Sequence, residues 1–420
     1  MIHMSRSTRS ARSARPALRG ALAAAVALLA LAAPATALAA PGTAGTASAP
    51  PSPATAERPS PAPATAAGPS GAQDPAGALA LPRPTGPHRV GTTALHLVDR
   101  SRPDPWAPER EVRELMVSIW YPARNPKGKR APYMTVREAE LLLKAQGVDV
   151  PGEVLSGTRT TAVAGAAPLG RRGSLPLVVL SPGFGMPRSS LTALAEDLAS
   201  RGYVVAGVDH THEAPVTFPD GRTAPCAACA AEDDPGFGEK STRARAADVS
   251  FVLDRLTGED PAWRHAGLID RSRIGMAGHS IGGNSATHTM LTDPRVRAGV
   301  NMDGTFWIPI PEKGLARPFL LLGAEQEVKD PTWPRDWANM TGWRRWVTVK
   351  GAGHASFTDY APLLADLLGD EKTFGTLPGA RSLEITRTYV AAFFDLHLRG
   401  RAQPLLDRPS GRHPEVTLRR

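Results

Sequence analysis

The chain has 420 residues, 42% of them hydrophobic and 21% charged, with 41 Pro, 40 Gly and only 2 Cys. So many prolines exclude a wholly packed chain, two cysteines exclude a disulfide scaffold, and no apolar run beyond the first 40 residues is long enough to span a bilayer. The net charge of +9 does not argue for nucleic acid: Arg6, Arg9, Arg12, Arg15 and Arg19 carry five of those charges in a stretch without an acid, which leaves +4 on the rest.

Residues 1–39 read as an export signal, a basic start followed by the apolar run Ala21–Ala33, with small residues at Ala37 and Ala39. Cleavage after Ala39 is expected, because Pro41 blocks the next position, and the mature protein is then secreted. Residues 40–87 are almost entirely Ala, Pro, Ser, Thr and Gly, too poor in apolar side chains to offset ordering entropy, and are expected to form a disordered linker. From His88 to Gly400 the composition becomes globular, enough for one large domain, and 401–420 read as a polar tail.

Within the domain, apolar strand-like runs alternate with helical periodicity. Strands are predicted at Leu115–Tyr121, Pro176–Leu180, Tyr203–Val208, Arg273–Ala277, Ala298–Met302, Pro318–Leu322 and Arg345–Val349. A capping box at Thr135 and Glu138 opens a short helix, Val136–Gln146. Further helices are expected around Leu191–Leu198, Thr242–Leu256 and Ser382–Leu398, the first and last stopped by Gly202 and Gly400. Apolar strands spaced by helices imply an α/β fold whose mostly parallel central sheet is covered on both faces.

The strongest chemical signal is Gly278-His279-Ser280-Ile281-Gly282, directly after one predicted strand and before a helix. A turn that lifts a serine hydroxyl above a sheet is so tight that the residues two before and two after must lack a bulky side chain. The same turn aims the Ile281 N–H, at a helix N-terminus, toward a developing oxyanion. Ser280 needs a base, and His354 lies in a small-residue loop after the last apolar strand, where this chemistry needs it. His210 and His212, in Asp209-His210-Thr211-His212-Glu213, lack a third ligand at metal-binding spacing and are expected to shape the rim of the site. Two carboxylates compete to orient His354: Asp303 after one strand end and Glu327 after the next. Cys226 and Cys229 share one polar loop, and in an exported chain a small disulfide is expected.

These residues resemble the platelet-activating factor acetylhydrolase family of the plasma, isoform II type. The resemblance spans about 90–400 and also rests on Val90-Gly91-Thr92-Thr93, Trp120-Tyr121-Pro122 and Leu180-Ser181-Pro182-Gly183-Phe184-Gly185. It implies an α/β-hydrolase fold, places the acid at Asp303, 23 residues after Ser280, and makes the Phe184 N–H the second oxyanion donor. The chain has Pro182 where many members have His. Related actinobacterial lipases and polyester hydrolases place the acid near Glu327, which stays the alternative. The expected function is therefore a secreted serine esterase for short-acyl phospholipids or similar small esters. It would need no cofactor, metal or nucleic acid, and would make at most transient contact with a lipid interface. A lipase or polyester hydrolase is the nearest alternative, a peptidase or a non-catalytic binding protein more distant ones.

Overall fold

The computed structural model describes residues 78–325 and 330–420. The expected signal, the linker as far as residue 77 and Glu327 lie outside the described residues. Twelve strands are found among the described residues: β1 Arg89–Asp99, β2 Arg113–Ala123, β3 Val163–Ala164, β4 Leu175–Ser181, β5 Val204–Asp209, β6 Val216–Thr217, β7 Thr223–Ala224, β8 Ile269–His279, β9 Val296–Met302, β10 Phe319–Ala324, β11 Arg344–Val349 and β12 Val416–Arg419. The α-helices are α1 Val136–Ala145, α2 Gly152–Ser156, α3 Thr192–Ser200, α4 Phe237–Thr257, α5 Ile281–Thr292, α6 Thr332–Ala338, α7 Tyr360–Leu368, α8 Glu371–Phe374 and α9 Gly379–Arg399.

Ten strands form one sheet in the order β12-β11-β10-β9-β8-β4-β5-β2-β1-β3, and β6 pairs with β7 apart from it. The six strands from β11 through β5 run parallel. The edges differ, since β2 is antiparallel to both β5 and β1, and β12 is antiparallel to β11. Alternation decides which helices cover which face. Val178, Leu180, Val205, Leu320 and Leu322 point to the layer containing α3 and α9. Leu177, Val179, Val204, Ala206 and Leu321 point to the layer containing α4, α5 and α6. Both faces are buried, which is why these strands read as continuous apolar runs.

The capping box of α1 forms as its residues predict, with Thr135 accepting from the Glu138 N–H and Glu138 accepting from Thr135. Leu142 and Leu143 of that helix pack with Tyr360, Leu363 and Leu364 of α7 in a third apolar cluster. Among the boundaries that differ from the sequence reading, three stand out. The packed chain begins before His88: Leu81 is buried and donates to the Arg159 carbonyl at 3.0 Å, and Thr85 donates to Asp197 at 2.8 Å. Leu79, Leu81 and the hydrogen bonds of Thr85 and Gly86 anchor that segment despite its linker-like composition. The expected tail is also structured, because Leu406 is buried and Val416–Arg419 adds β12 to the sheet edge. Finally, α4 begins five residues earlier than its apolar stripe suggests, at Phe237.

Candidate active site

Each predicted catalytic and oxyanion residue in the described chain follows the carboxyl end of a parallel strand, where open α/β sheets leave a crevice. Ser280 follows β8, Asp303 follows β9, His354 lies in the loop after β11, and Phe184 in the loop after β4. Ser280 is held at φ 54° and ψ −127°, a region a non-glycine residue occupies only when its surroundings over-determine it. They do so here. A Cβ at Gly278 would come within 2.1 Å of the Gly282 backbone, and one at Gly282 within 2.2 Å of the Ser181 carbonyl. The Ser280 N–H is taken by the Met302 carbonyl at 2.8 Å, so the turn is tied to the strand that carries Asp303.

Asp303 also has a positive φ, 57°, which Asp tolerates better than most residues. Its Oδ2 lies 2.7 Å from His354 Nδ1, and its Oδ1 accepts the Ala324 N–H at 2.9 Å. The carboxylate is almost wholly buried while the imidazole is half exposed, with side-chain exposures of 1% and 46%. The structure therefore brings Asp303 and His354 together beside the Ser280 turn. Glu327, the competing acid, lies outside the described residues.

His279 links the turn to the histidine loop. Burial first, then the neighbouring His354, pushes its pKa down to about 3, so it is neutral. Its Nε2–H therefore donates to the His354 carbonyl at 2.8 Å, and the two rings lie 4.7 Å apart. The histidine loop is pinned a second time by Asp359, whose N–H donates to the Ser190 carbonyl and whose carboxyl group accepts the Ala193 N–H at the start of α3.

The loop after β4 owes its shape to a buried arginine that sequence reasoning missed. Arg245 of α4 donates to the Pro182 and Gly183 carbonyls and to Glu213 Oε2, the last at 2.9 Å. Glu213 in turn accepts from Ser241 and Trp106, and its own carbonyl takes the Gly185 N–H at 3.0 Å. The Met186 N–H is used by the Gly183 carbonyl, whereas the Phe184 N–H has no acceptor among the described residues. A helical stripe could have flagged Arg245, because it lies at i+3 from Thr242 and i−4 from Val249, inside the buried face of α4.

His210 and His212 are buried rather than on the rim, 2% and 6% exposed. His210 bridges Ser181 Oγ at 2.9 Å and Asp248 Oδ2 at 2.8 Å, and His212 Nδ1 lies 3.0 Å from Asp104. Arg113 joins the two carboxylates, at 2.6 Å from Asp104 and 2.8 Å from Asp248. That guanidinium and the His210 contact hold the Asp248 carboxyl well below the usual carboxylate range despite its burial. Among the described residues no group of three or more His, Cys, Asp or Glu could hold a metal ion. Cys226 and Cys229 are joined, with Cα atoms 5.4 Å apart.

A mostly parallel sheet with a serine on a strained strand-to-helix turn, a carboxylate after the following strand and a histidine after the last parallel one defines an α/β-hydrolase. The family model for platelet-activating factor acetylhydrolase, isoform II, matches residues 76–220 and 259–402, and the chain belongs to that family. A solved ferulic acid esterase from Streptomyces cinnamoneus is 49% identical, covers 82% of this chain and 100% of its own, and superposes with a TM-score of 0.75. A probable 1-alkyl-2-acetylglycerophosphocholine esterase of Arthroderma benhamiae is 29% identical over 377 residues, 80% of this chain and 92% of its own. A bis(hydroxyethyl) terephthalate hydrolase of Streptomyces coelicolor is 28% identical over 164 residues, 38% of this chain and 42% of its own. The chain is a carboxylic ester hydrolase.

Proposed function

We propose that the chain is an exported serine esterase that cleaves short-acyl phospholipids or similar small esters through an acyl-serine intermediate. The Ser280 hydroxyl attacks the ester carbonyl while His354 Nε2 takes its proton. Asp303 holds the His354 Nδ1–H and stabilises the imidazolium that forms. The N–H groups of Phe184 and Ile281 receive the oxyanion, and His354 then protonates the leaving alkoxide. Water repeats the sequence on the acyl-serine, releasing the acid and restoring Ser280.

The observation that carries the reading is the 2.7 Å contact between His354 Nδ1 and Asp303 Oδ2 beside a serine held at φ 54°. The names of the acetylhydrolase relatives support the short-acyl preference. The basic and apolar pattern of 1–39 and the Cys226–Cys229 pair support export. Among the described residues no helix is long and apolar enough to cross a membrane. A second reading, a polyester-type hydrolase, is favoured by the terephthalate hydrolase relative.

A fluorophosphonate probe should label the wild type and leave Ser280→Ala unlabelled, and esterase turnover in that variant should fall on the order of a million-fold. Ordinary labelling of the variant would remove Ser280 as nucleophile. Assay of an acetyl phospholipid, a terephthalate diester and a peptide separates ester classes from amides. N-terminal sequencing of protein from the medium should begin at Ala40, and retention of Arg6–Arg19 would contradict export.

A further inference from the structure

Among the described residues the non-glycine positions with a positive φ are Asn125, His212, Ser280 and Asp303. Ser280 and Asp303 are the nucleophile and acid of the proposed mechanism. His212, at φ 68°, has no part in it, although it too follows the carboxyl end of a central strand, β5. A backbone outlier of this kind persists only where its surroundings over-determine it. His212 is the third residue of a turn closed by the Glu213 N–H on the His210 carbonyl at 2.9 Å, where a positive φ normally calls for glycine. Three contacts impose the turn. His212 Nδ1 lies 3.0 Å from Asp104 Oδ2, its carbonyl accepts the Ala228 N–H at 2.9 Å, and Arg113 donates to the Thr211 carbonyl at 2.7 Å.

The turn places two grips on the loop after β4. On one side, His210 Nε2 lies 2.9 Å from Ser181 Oγ, and its Nδ1 lies 2.8 Å from Asp248 Oδ2. These side chains repeat the order serine, histidine, aspartate of the active site, but all three are buried and none can meet a substrate. Their protons have one consistent arrangement. Arg245 has only donors and reaches Ser181 Oγ at 3.4 Å, so the hydroxyl accepts there and donates to His210 Nε2. The His210 Nδ1–H then donates to Asp248, which Arg102 and Arg113 also hold. On the other side, the Glu213 carbonyl takes the Gly185 N–H at 3.0 Å. Ser181 and Gly185 are thus gripped from the two ends of one turn, with Phe184 between them.

We infer that the His210–Glu213 turn sets the geometry of the oxyanion hole, and that His210 is its positioning residue, acting through Ser181. The inference rests on the Ser280 reading, with the Phe184 and Ile281 N–H groups as donors, and names what fixes their spacing. The two donors sit on different segments, so their separation depends on how the end of β4 meets the Ser280 turn. They meet at Ser181. Its carbonyl and that of Pro182 stand 2.2 and 2.8 Å from where a Cβ of Gly282 would be, and Gly282 follows Ile281 directly. Without the His210 contact the Ser181 side chain is released, the end of β4 shifts against Gly282, and one donor moves relative to the other. An oxyanion donor works only within about half an ångström of its place.

The test compares kcat/KM for ethyl acetate and ethyl thionoacetate, the second of which develops its charge on sulfur and gains less from N–H donors. The wild type should prefer the oxygen ester. Ser181→Ala and His210→Leu should each lower the oxygen-to-sulfur ratio by roughly tenfold, less than the loss expected on removing a donor outright. His210→Gln, whose side-chain carbonyl can accept the Ser181 hydroxyl, should recover most of that ratio. His212→Val, whose branched side chain opposes φ 68°, should lower the ratio too, and His212→Gly much less. Val296→Ala, a buried truncation at the far end of β9, should lower Tm and leave the ratio as it is. A merely structural role would lower both rates together, as loss of folded enzyme does. The inference is overturned if Ser181→Ala and His210→Leu keep the ratio within about twofold of wild type, if Val296→Ala lowers it as much as they do, or if the wild type turns over the two esters alike. Where the first two variants do not fold, the His212 pair decides by the same ratio. If the wild type cleaves neither ester and takes no fluorophosphonate, the Ser280 reading falls first and this inference with it.

Discussion

Asp303→Asn is the sharpest probe of the site, because it changes charge and tautomer while leaving shape alone. Asn also tolerates the positive φ of 57° at this position, so the backbone should not shift. The Asn carbonyl can keep the Ala324 N–H that Asp303 Oδ1 now accepts at 2.9 Å. Its NH2 group then faces His354 Nδ1 across the present 2.7 Å contact and donates where the carboxylate accepted. That pairing selects the imidazole with its proton on Nε2, which cannot take the Ser280 proton. The lost charge adds to this. A carboxylate and an imidazolium about 4 Å apart between charge centres attract by about 4 kcal/mol at an effective dielectric near 20. Because the His354 ring is 46% exposed, about half of that is a fairer figure, worth roughly 30-fold in rate. With the tautomer penalty the expected loss in kcat is about a thousand-fold or more, with KM far less affected. Initial rates on a soluble ester from about pH 5 to 9 would measure both. Glu327→Gln should cost little. A crippled Glu327→Gln beside a near-normal Asp303→Asn would refute the reasoning and move the acid to the later strand.

Arg245→Met should unfold more readily by about 3–5 kcal/mol, because it strands the buried Glu213 carboxylate that Arg245 now meets at 2.9 Å. Adding Glu213→Gln should recover most of that loss in urea melts, yet kcat should stay depressed roughly tenfold or more, since the Pro182 and Gly183 carbonyls remain unanchored. Recovery of both stability and kcat in the double variant would deny Arg245 a positioning role. Burial first, then the like charge of Glu196, pushes the Asp359 carboxyl well above the usual carboxylate range. Folding therefore favours its protonated form, so its contribution is full below about pH 4 and is lost as pH rises through the folded value. Asp359→Asn keeps an acceptor for the Ala193 N–H and should gain stability relative to wild type between about pH 4 and 8. A difference in urea midpoints that is flat with pH, or that runs the other way, would contradict this.

Much of the site was legible because its chemistry constrains neighbours in sequence. The Ser280 turn needs glycines at fixed offsets, and His354 needs a small-residue loop after an apolar strand. The acid was not separable by the same logic. A carboxylate after β9 and one after the next strand look alike in one dimension. What positions Asp303 is long-range, since its N–H meets the Leu322 carbonyl and its Oδ1 the Ala324 N–H across the β9–β10 ladder. The central strands were legible because both faces are buried. β12 escaped because Val416–Arg419 is four residues long and gains its order from pairing with β11. Arg245 and Asp248 escaped because a charged residue in a helix reads as solvated until its partners are known. Here those partners are the Pro182 carbonyl, Glu213, Arg113 and His210, drawn from four other segments.

The placement of these buried charges follows from what the loops must do. A buried ion pair rarely outperforms apolar packing in stability, since desolvation cancels most of its attraction. Breaking one is costly, however, and that asymmetry makes it a good geometric constraint. Acyl transfer needs donors, base and nucleophile held within about half an ångström, on loops that have little core of their own. Three loops at the carboxyl end of the sheet are each tied to a neighbour: the Ser280 turn to Met302, the His354 loop to His279 and Ser190, and the loop after β4 to Arg245 and Glu213. Beneath them, Ser181, His210, Asp248, Arg113, Asp104 and His212 continue the chain of contacts to β2 and to the segment preceding it. Apolar packing would hold the same segments with less directional demand. The polar chain holds them in one arrangement, because any shift that opens a contact leaves a polar or charged group buried without its partner.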